Sequence, residues 1–358
     1  MGFAWHRWAT SAPNKKTKPI ANGNVLRNDL VEVVVSRSTG GIQSVHEHGR
    51  RGNRLSEQLA VRFASDPSKP GDLWRDPDET ARYSTMAADA LEITAADQDF
   101  GQITSSGWLL DESQQRLVSF RQRVSLWSGS RLVEVRVELG AFEQLGQDPW
   151  TSYVAARFAW SEDDADIFRS VALTRVKTEA KRIEAPHFLE VESARGRLAI
   201  LTAGLPYHRR SGSRMLDTLL QVRGESARVF RFGIGVGVSQ PAAAALEMLT
   251  PATVSQAAES PPSSVSGWLF HLDARNVVAT HWESVPTPTG AGIAGFRVRL
   301  LETMGQAGRV QLRAFRPPVH ARQIDAAGNT ILELPIEGDK IVMHLAEYEW
   351  IFVEVTWQ

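Results

Sequence analysis

The segment from Gly204 to Leu220 has the highest concentration of side chains that can bind or ionise. These side chains are Tyr207, His208, Arg209, Arg210, Arg214 and Asp217. Arginine and aspartate can hold sugar hydroxyls or a carboxylate, and tyrosine offers both an aromatic face and a hydroxyl. A loop attached to its own sheet by arginine–aspartate pairs would have the same composition, since such pairs are common on protein surfaces. Composition alone slightly favours that structural interpretation.

A second candidate surface combines Trp150 and Tyr153 with the nearby Phe158 and Trp160. Tryptophan faces can stack on the C–H surfaces of sugars. Large aromatic side chains in a β-sandwich belong more often to the core, so burial is the expectation for this group.

Two clusters resemble metal sites, and both have simpler interpretations. His46 and His48 would share one face of a strand, but two imidazoles do not make a zinc site and the spacing names no third ligand. The acidic segment 162–166 lacks the interleaved glycine and the distal glutamate of a calcium loop. We therefore expect solvated polar side chains at both places and predict no metal or other cofactor in this chain.

A glycine-rich segment from Phe232 to Gly237 precedes a predicted helix over Pro241–Leu249. Its glycines recur at every second residue rather than in the spacing of a dinucleotide-binding loop, which favours close packing on one strand face. No phosphate-binding loop of the G-x-x-x-x-G-K-[S/T] type occurs. The spacing of the 41 acidic residues singles out no carboxylate pair for glycoside hydrolysis, so no catalytic residue is predicted.

Composition and charge exclude several classes of function. The 358 residues include 40 lysines and arginines against 41 aspartates and glutamates, and this balance gives no electrostatic reason to expect a nucleic-acid or membrane partner. The absence of cysteine excludes disulfides, zinc–thiolate sites and cysteine nucleophiles. The start has no secretory-signal pattern, and no run of ~18 apolar residues occurs. A soluble, cytoplasmic protein is predicted.

Apolar residues recur mainly with the period of two that is typical of β-strands. The clearest examples are 30–35, 117–120, 132–139 and 229–234. Turn-forming segments at 38–41 and 128–130 lie between them. Many short strands at this spacing indicate antiparallel sheets packed face to face, and helix signals are few. An all-β fold is therefore predicted, and a barrel of alternating strands and helices is disfavoured.

A stretch rich in proline and serine at 259–264 indicates a boundary before a smaller β domain. Strand patterns resume after it at 277–280, 296–300, 310–312 and 350–355. Near the start, residues 10–18 are polar and show no period, as expected for a connector. The predicted organisation is a lead-in strand and connector over 1–18, a large β domain over 19–262 and a small β domain over 263–358.

In chain order, several segments resemble the C-terminal β domains of glycoside hydrolase family 38 α-mannosidases. They are Arg27 to Val45, with its Thr-Gly-Gly turn, Ser105 to Asp111, Val124 to Val137, Trp150 to Trp160 and Gly204 to Leu220. The resemblance covers most of the chain. It implies a large super-sandwich of the galactose-mutarotase type, followed by a small terminal β-sandwich domain.

The resemblance places the chemistry of the family outside this chain. Family members carry an N-terminal α/β barrel with a zinc bound by His and Asp residues, an aspartate nucleophile and an acid/base carboxylate. This chain is expected to begin after such a barrel. Phe3, Trp5 and Trp8 would then form an apolar strand without its preceding partner, as a cut through a longer protein would leave it.

In the family, an arginine-bearing loop of the β domain helps to order the barrel's active site, and His208, Arg209 and Arg210 resemble that loop. The family usually continues with paired aspartates, whereas here residues 211–213 intervene and only Asp217 is acidic. The residues expected to face carbohydrate or to support an active site are Trp150, Tyr153, Tyr207, His208, Arg209, Arg210, Arg214 and Asp217.

The sequence thus predicts the β portion of an α-mannosidase-like glycoside hydrolase that is inactive without its zinc-containing barrel. Its expected partners are an α-mannoside carbohydrate and the barrel, in the same chain or as a separate subunit. Whether the chain is itself an enzyme stays undecided.

Two alternatives are left open. One is a stand-alone carbohydrate-binding module that uses Trp150, Tyr153 and the 207–217 segment. The other is a mutarotase-like sugar epimerase, which needs an acid and a base that face one sugar. His208 or His187, with Glu190 as the base, could supply that pair.

Overall fold

The computed structural model describes residues 2–5, 18–63, 81–250, 252–256 and 266–357. Most of the predicted connector at 10–18, the predicted boundary at 259–264 and Trp8 lie outside these residues. The described helix is α1 (Pro241–Leu249), as predicted. The described strands are β1 (Gly2–Ala4), β2 (Ala21–Asn22), β3 (Val25–Arg27), β4 (Val31–Val35), β5 (Ile42–Glu47), β6 (Leu55–Phe63), β7 (Arg82–Tyr83), β8 (Thr85–Ala96), β9 (Phe100–Leu110), β10 (Arg116–Trp127), β11 (Leu132–Leu139), β12 (Tyr153–Ala159), β13 (Asp166–Val171), β14 (Thr174–Lys177), β15 (Arg182–Glu184), β16 (Phe188–Ser193), β17 (Gly196–Leu201), β18 (Tyr207–Gly212), β19 (Met215–Gln221), β20 (Val229–Val236), β21 (Ser266–Trp268), β22 (Phe270–Leu272), β23 (Val277–Pro286), β24 (Ile293–Glu302), β25 (Gly308–Ala314), β26 (His320–Ile324), β27 (Thr330–Glu333), β28 (Ile336–Glu337), β29 (Lys340–Leu345) and β30 (Trp350–Thr356).

The fold is all-β, as predicted, and the predicted strands coincide with observed ones, except that Leu30 precedes the start of β4. β4 alternates buried and half-buried residues, and β11 spans the whole predicted segment from Leu132 to Leu139. The predicted turns connect β4 to β5 and β10 to β11. Gly40 and Gly129 supply the positive φ angles of these turns, 82° and 69°, which glycine adopts without strain.

Most of the chain forms one compact unit, which comprises Lys15–Val171 and Val176–Thr250. Its sheets have the strand orders β14-β13-β16-β17-β20-β11-β10-β9-β8 and β15-β18-β19-β12-β6-β5-β4-β3-β2, with β7 paired to β6. We call them the nine-stranded and the ten-stranded sheet of the described chain. Phe158 of the ten-stranded sheet and Phe232 of the nine-stranded sheet meet edge to face, with ring centroids 5.4 Å apart. The two sheets therefore enclose a shared core, as expected for a β-sandwich.

Glycines of β20 allow close packing, as predicted. A Cβ atom on Gly233 would lie 2.7 Å from Leu132 Cδ1, and one on Gly235 would lie 2.6 Å from Val238 Cγ2. Both distances are shorter than side-chain packing allows. The glycine-rich segment is thus a buried strand and not a dinucleotide-binding loop.

The second compact unit contains the strands from β21 to β30. Its described sheets have the orders β22-β25-β29-β28 and β23-β24-β30-β26-β27. The rings of Phe270 and Phe296, one from each sheet, stack with centroids 6.5 Å apart in a separate core. This unit is a small β-sandwich, in agreement with the small terminal β-sandwich that the family resemblance implies.

The first strand has a partner within the chain, and this partner follows it in sequence. β1 pairs antiparallel with β21, and Phe3 lies opposite Gly267. A Cβ atom on Gly267 would lie 2.7 Å from the Phe3 ring, so glycine makes room for that ring. The pairing was not predictable because the two strands are more than 260 residues apart in sequence.

Candidate functional site

The arginine-bearing segment is a β-hairpin and not the loop that the sequence suggested. β18 and β19 pair antiparallel, and Arg209 lies opposite Asp217. β15 and β12 flank the hairpin on either side, so its backbone groups are hydrogen-bonded within the sheet. A strand alternates its side chains between two faces, and the polar residues of the hairpin are therefore separated.

His208 faces the core side of the sheet and is fully buried. Its Nδ1 lies 2.9 Å from Thr218 Oγ1 and its Nε2 lies 3.1 Å from the Ala185 carbonyl oxygen. Burial lowers the pKa of His208 to about 4, so the ring is neutral at pH 7. With both nitrogens engaged and no exposure, His208 connects two strands and does not contact a ligand.

Asp217 lies on the outer face of the ten-stranded sheet, where its carboxylate accepts four hydrogen bonds. Arg157 Nε and Ser211 Oγ donate to Oδ1 at 2.9 and 3.0 Å. The hydroxyls of Tyr83 and Tyr153 donate to Oδ2 at 2.9 and 2.7 Å. A carboxylate has about four acceptor positions, and all are occupied here. We call these five residues the Asp217 network.

The tyrosines of the network are held as donors. Burial raises the pKa of both Tyr83 and Tyr153, and the Asp217 charge acts in the same direction. Arg62 Nε donates to the Tyr83 hydroxyl at 3.2 Å, and Arg62 Nη1 donates to the Thr151 carbonyl oxygen at 2.8 Å. The Arg157 guanidinium carbon lies 3.4 Å from the centroid of the Tyr83 ring. The network is therefore a rigid set of hydrogen-bonded side chains and not a proton-transfer site.

An exposed surface adjoins this network. Arg209 Nη1 donates to the Trp150 carbonyl oxygen at 2.6 Å, and the rings of Trp150 and Tyr207 meet edge to face with centroids 5.8 Å apart. The Arg182 guanidinium carbon lies 5.4 Å from the Trp150 ring centroid. Tyr207 is 47% exposed. We call these four residues the aromatic platform.

Two predicted site residues lie near the hairpin turn, apart from the platform. Arg210 Nη2 donates to the Ser213 carbonyl oxygen at 3.4 Å. Arg214 Nε lies 3.2 Å from Asp163 Oδ1, and its Nη1 donates to the Ser161 carbonyl oxygen at 3.2 Å. Both arginines thus make local contacts at the surface.

The comparisons with known proteins rest on structure. No family model and no curated protein matches the sequence. An α-mannosidase from Enterococcus faecalis V583 is similar with a TM-score of 0.70 and 10% identity, over 96% of this chain and 43% of that chain. A glycosyl hydrolase family 38 protein from Enterococcus faecalis is similar with a TM-score of 0.67 and 12% identity, over 96% of this chain and 45% of that chain. The chain has the fold of part of these family 38 structures. It spans less than half the length of either.

Within this family 38-like fold, sequence reasoning missed part of the site. Arg157 follows Tyr153 by four residues in β12, so strand alternation alone places both on one face. Ser211 likewise shares a face of β18 with Arg209. Arg62 and Tyr83 carried no signal, since only the order of the strands brings Tyr83 to Asp217 and Arg62 to Tyr83.

The metal-like clusters of the family 38-like fold have protein partners. His46 Nδ1 lies 3.0 Å from the Gly52 carbonyl oxygen and its Nε2 lies 3.1 Å from Ser44 Oγ, while His48 Nδ1 lies 2.9 Å from the Asp29 carbonyl oxygen. In the acidic segment, Asp166 pairs with Lys177 at 2.8 Å. Among the described residues, no group of three His, Cys, Asp or Glu side chains could hold a metal ion.

The acid and base considered for an epimerase are not brought together. His208 lies on β18 of the ten-stranded sheet, whereas Glu190 lies on β16 of the nine-stranded sheet. His187 precedes Glu190 by three residues next to that same strand, so alternation turns the two toward opposite faces. Burial lowers the pKa of His187. The geometry does not support sugar epimerisation.

Proposed function

We propose that this chain is the non-catalytic β portion of an α-mannosidase-like glycoside hydrolase, in which the aromatic platform supports a separate catalytic domain. Its likeness to two family 38 structures, over 96% of this chain and less than half of theirs, supports the proposal. Hydrolysis of mannosides and a role in mannose catabolism are parts of the same proposal.

The observation that carries the proposal is the fixed geometry of the exposed platform. Tyr207 is half exposed, yet its ring contacts the ring of Trp150, and Arg209 donates to the Trp150 carbonyl oxygen. Arg209 is itself only 5% exposed. Tryptophan, tyrosine and arginine are the residues enriched where protein surfaces bind partners. Ordering them costs conformational entropy, which a contact with another domain would offset.

The described residues do not fit the zinc that the family resemblance implies. His46 and His208 engage both ring nitrogens and Asp217 all its acceptor positions, and no group of three His, Cys, Asp or Glu side chains among the described residues could hold a metal ion. We therefore place the zinc of the proposed enzyme in the catalytic domain and derive no step through zinc in this chain.

Activity of the purified chain is the first test. With zinc or cobalt supplied, we expect no hydrolysis of an aryl α-mannoside above the blank without protein. A rate that depends on the concentration of this chain would overturn the proposal of a non-catalytic portion. Circular dichroism of the same sample establishes that the chain is folded.

Association with a catalytic domain is the second test. A zinc-dependent family 38 barrel encoded by the same genome, expressed as a separate chain, is expected to co-elute with this protein and to hydrolyse the mannoside only in the complex. Tyr207→Ala is expected to weaken that association about tenfold or more. Trp127→Ala is the matched control, since Trp127 is 49% exposed and Tyr207 47%. Equal effects of the two variants would remove the platform from the proposal.

Cytoplasmic location and the absence of nucleic-acid and membrane partners remain parts of the proposal. In the part of the chain that the structure describes, no helix has the length and apolarity needed to span a membrane. An α-mannoside is the carbohydrate that the proposal assigns to the assembled enzyme.

A further inference from the structure

One end of the large sandwich carries a cluster of ionised side chains away from the platform. Glu47 ends β5, Arg50 and Arg54 lie between β5 and β6, and Arg131 directly precedes β11. Two further members, Glu162 and Arg195, follow β12 and precede β17. We call these six residues the arginine cluster.

Ion pairs connect the cluster. Arg50 Nε and Arg131 Nη1 lie 3.1 and 2.9 Å from the carboxylate oxygens of Glu47. Arg195 Nε lies 3.4 Å from Glu162 Oε1, and Arg50 Nη1 donates to the Arg195 carbonyl oxygen. Four arginines against two glutamates leave the cluster with a net charge of +2.

Arg54 is the unusual member, because its side chain is only 2% exposed and two of its three nitrogens still lack hydrogen-bond acceptors among the described residues. Its Nε and Nη1 have no partner among the described residues. The carboxylate next to it, that of Glu162, has its Oε1 3.8 Å from Arg54 Nη1, which is too long for a hydrogen bond. Glu162 Oε1 is also buried without a hydrogen-bond partner. A bound water or ion is one way in which buried polar atoms of this kind are completed.

The backbone leaves room for the cluster. Gly196 and Gly237 adopt positive φ angles of 105° and 64°. A Cβ atom on Gly196 would lie 2.4 Å from Arg50 Nη1, and one on Gly237 would lie 2.9 Å from Arg131 Nη1. Burial, together with the charges of Arg50 and Arg195, lowers the pKa of Arg54 despite its acidic neighbours. An anion close to Arg54 would offset that cost.

We propose that the arginine cluster binds a phosphate group, with Arg54 and Arg195 donating hydrogen bonds to its oxygens and Glu162 accepting one from its hydroxyl. The match is chemical: the two orphaned donors of Arg54 need acceptors, and the orphaned oxygen of Glu162 needs a donor. At neutral pH monohydrogen phosphate carries both acceptor oxygens and a donor hydroxyl, whereas sulfate carries no proton. The same group is present on free phosphate and, at mildly acidic pH, on a sugar phosphate ester.

Calorimetric titration of the full chain with inorganic phosphate and with sulfate, at pH 7 and constant ionic strength, tests the proposal. We expect saturable phosphate binding and at least about tenfold weaker sulfate binding, since sulfate leaves Glu162 without a donor. A hexose phosphate, the unphosphorylated hexose and inorganic phosphate, all titrated at pH 6, distinguish the sources. Tighter binding of the ester than of phosphate assigns the site to a sugar phosphate, and equal or weaker binding assigns it to the free ion.

Variants separate binding from folding. Arg195 is 56% exposed on its side chain, so Arg195→Gln is expected to leave the fold intact and to weaken phosphate binding about tenfold. Glu162→Gln removes the carboxylate charge and adds an amide donor that can reach a sulfate oxygen, so it is expected to reduce the preference for phosphate over sulfate. Arg121→Gln, at an exposed position of β10, is the matched control and is expected to change neither affinity. Circular dichroism of each variant monitors folding.

The proposal is overturned if phosphate gives no saturable heat, or if phosphate and sulfate bind alike in the unmodified protein. It is also overturned if Arg195→Gln and Arg121→Gln have the same affinity for phosphate. In each of those cases bound water completes Arg54 and Glu162.

Discussion

The side chains of Glu57 and Gln122 form a polar pair inside the core of the large sandwich. Gln122 Nε2 donates to Glu57 Oε2 at 2.8 Å, and both side chains are almost fully buried. Glu57 Oε1 and Gln122 Oε1 have no partner among the described residues. Burial raises the pKa of Glu57 to about 7. A protonated Glu57 can donate its hydroxyl to Gln122 Oε1, which satisfies both oxygens.

This pair predicts that the large unit loses stability as the pH rises. The pKa of Glu57 is raised in the folded state from 4.5 to about 7, so the bound proton stabilises the fold. The stabilisation is complete below about pH 4.5 and is lost as the pH approaches 7, a change of about 3 kcal/mol. Glu57→Gln keeps the shape of the side chain and removes its titration.

Urea unfolding of both proteins at pH 5 and pH 8 measures this effect. We expect the variant to gain about 2.5 kcal/mol relative to the unmodified protein between the two pH values. Because the other groups titrate alike in both proteins, the difference between their unfolding free energies reports the titration of Glu57 alone. Glu112→Gln, on a side chain that is 65% exposed, is the control and is expected to show no such gain. A constant difference for Glu57→Gln would show that Glu57 is ionised in the fold.

At the scale of elements, Asp217 connects four strands of the ten-stranded sheet. It lies on β19 and accepts hydrogen bonds from β7, β12 and β18. Asp217→Asn removes the charge that the partly buried Arg157 faces and turns one acceptor atom into a donor against the tyrosine or serine hydroxyls. Because one partner of a buried ion pair is lost, we expect the unfolding free energy to fall by about 3 kcal/mol.

Asp163→Asn is the matched control for this variant. Asp163 also pairs with an arginine, Arg214, but its side chain is 76% exposed. Solvent screens such a pair, so a change within about 0.5 kcal/mol is expected. Urea unfolding at pH 7 compares the two variants. If Asp217→Asn is as mild as Asp163→Asn, the network does not need the charge of Asp217.

Elements with one apolar face were predictable from sequence, and the hairpin of β18 and β19 was not. β11 shows strict alternation because one of its faces packs on the core, and its limits were predicted correctly. β18 reads Tyr-His-Arg-Arg-Ser-Gly, since its core face carries His208 and its outer face carries Arg209. Both faces are polar, so the alternation disappears. The hydrogen bond from Tyr83 to Asp217 spans 134 residues and depends on strand order, which hydrophobic pattern does not encode.

At the scale of the whole molecule, the order of many weak segments indicated the family-like fold. The two similar solved structures are 10% and 12% identical to this chain, so no single motif could identify them. The patterns that such segments carry in this chain are those of buried strands and turns, as in the hairpin around Gly40. The Asp217 network and the arginine cluster depend on individual polar residues. These features were therefore visible only in three dimensions.

The two separate cores predict two unfolding transitions. Phe296 is 1% exposed and lies in the small core, while Phe232 is fully buried in the large core. Removing either ring leaves a cavity, so Phe296→Ala and Phe232→Ala are each expected to cost about 3–5 kcal/mol. Because each core is continuous within its own unit, Phe296→Ala should lower the midpoint of one transition and Phe232→Ala that of the other. Differential scanning calorimetry measures both midpoints, and a single transition that moves equally in both variants would show that the units unfold as one.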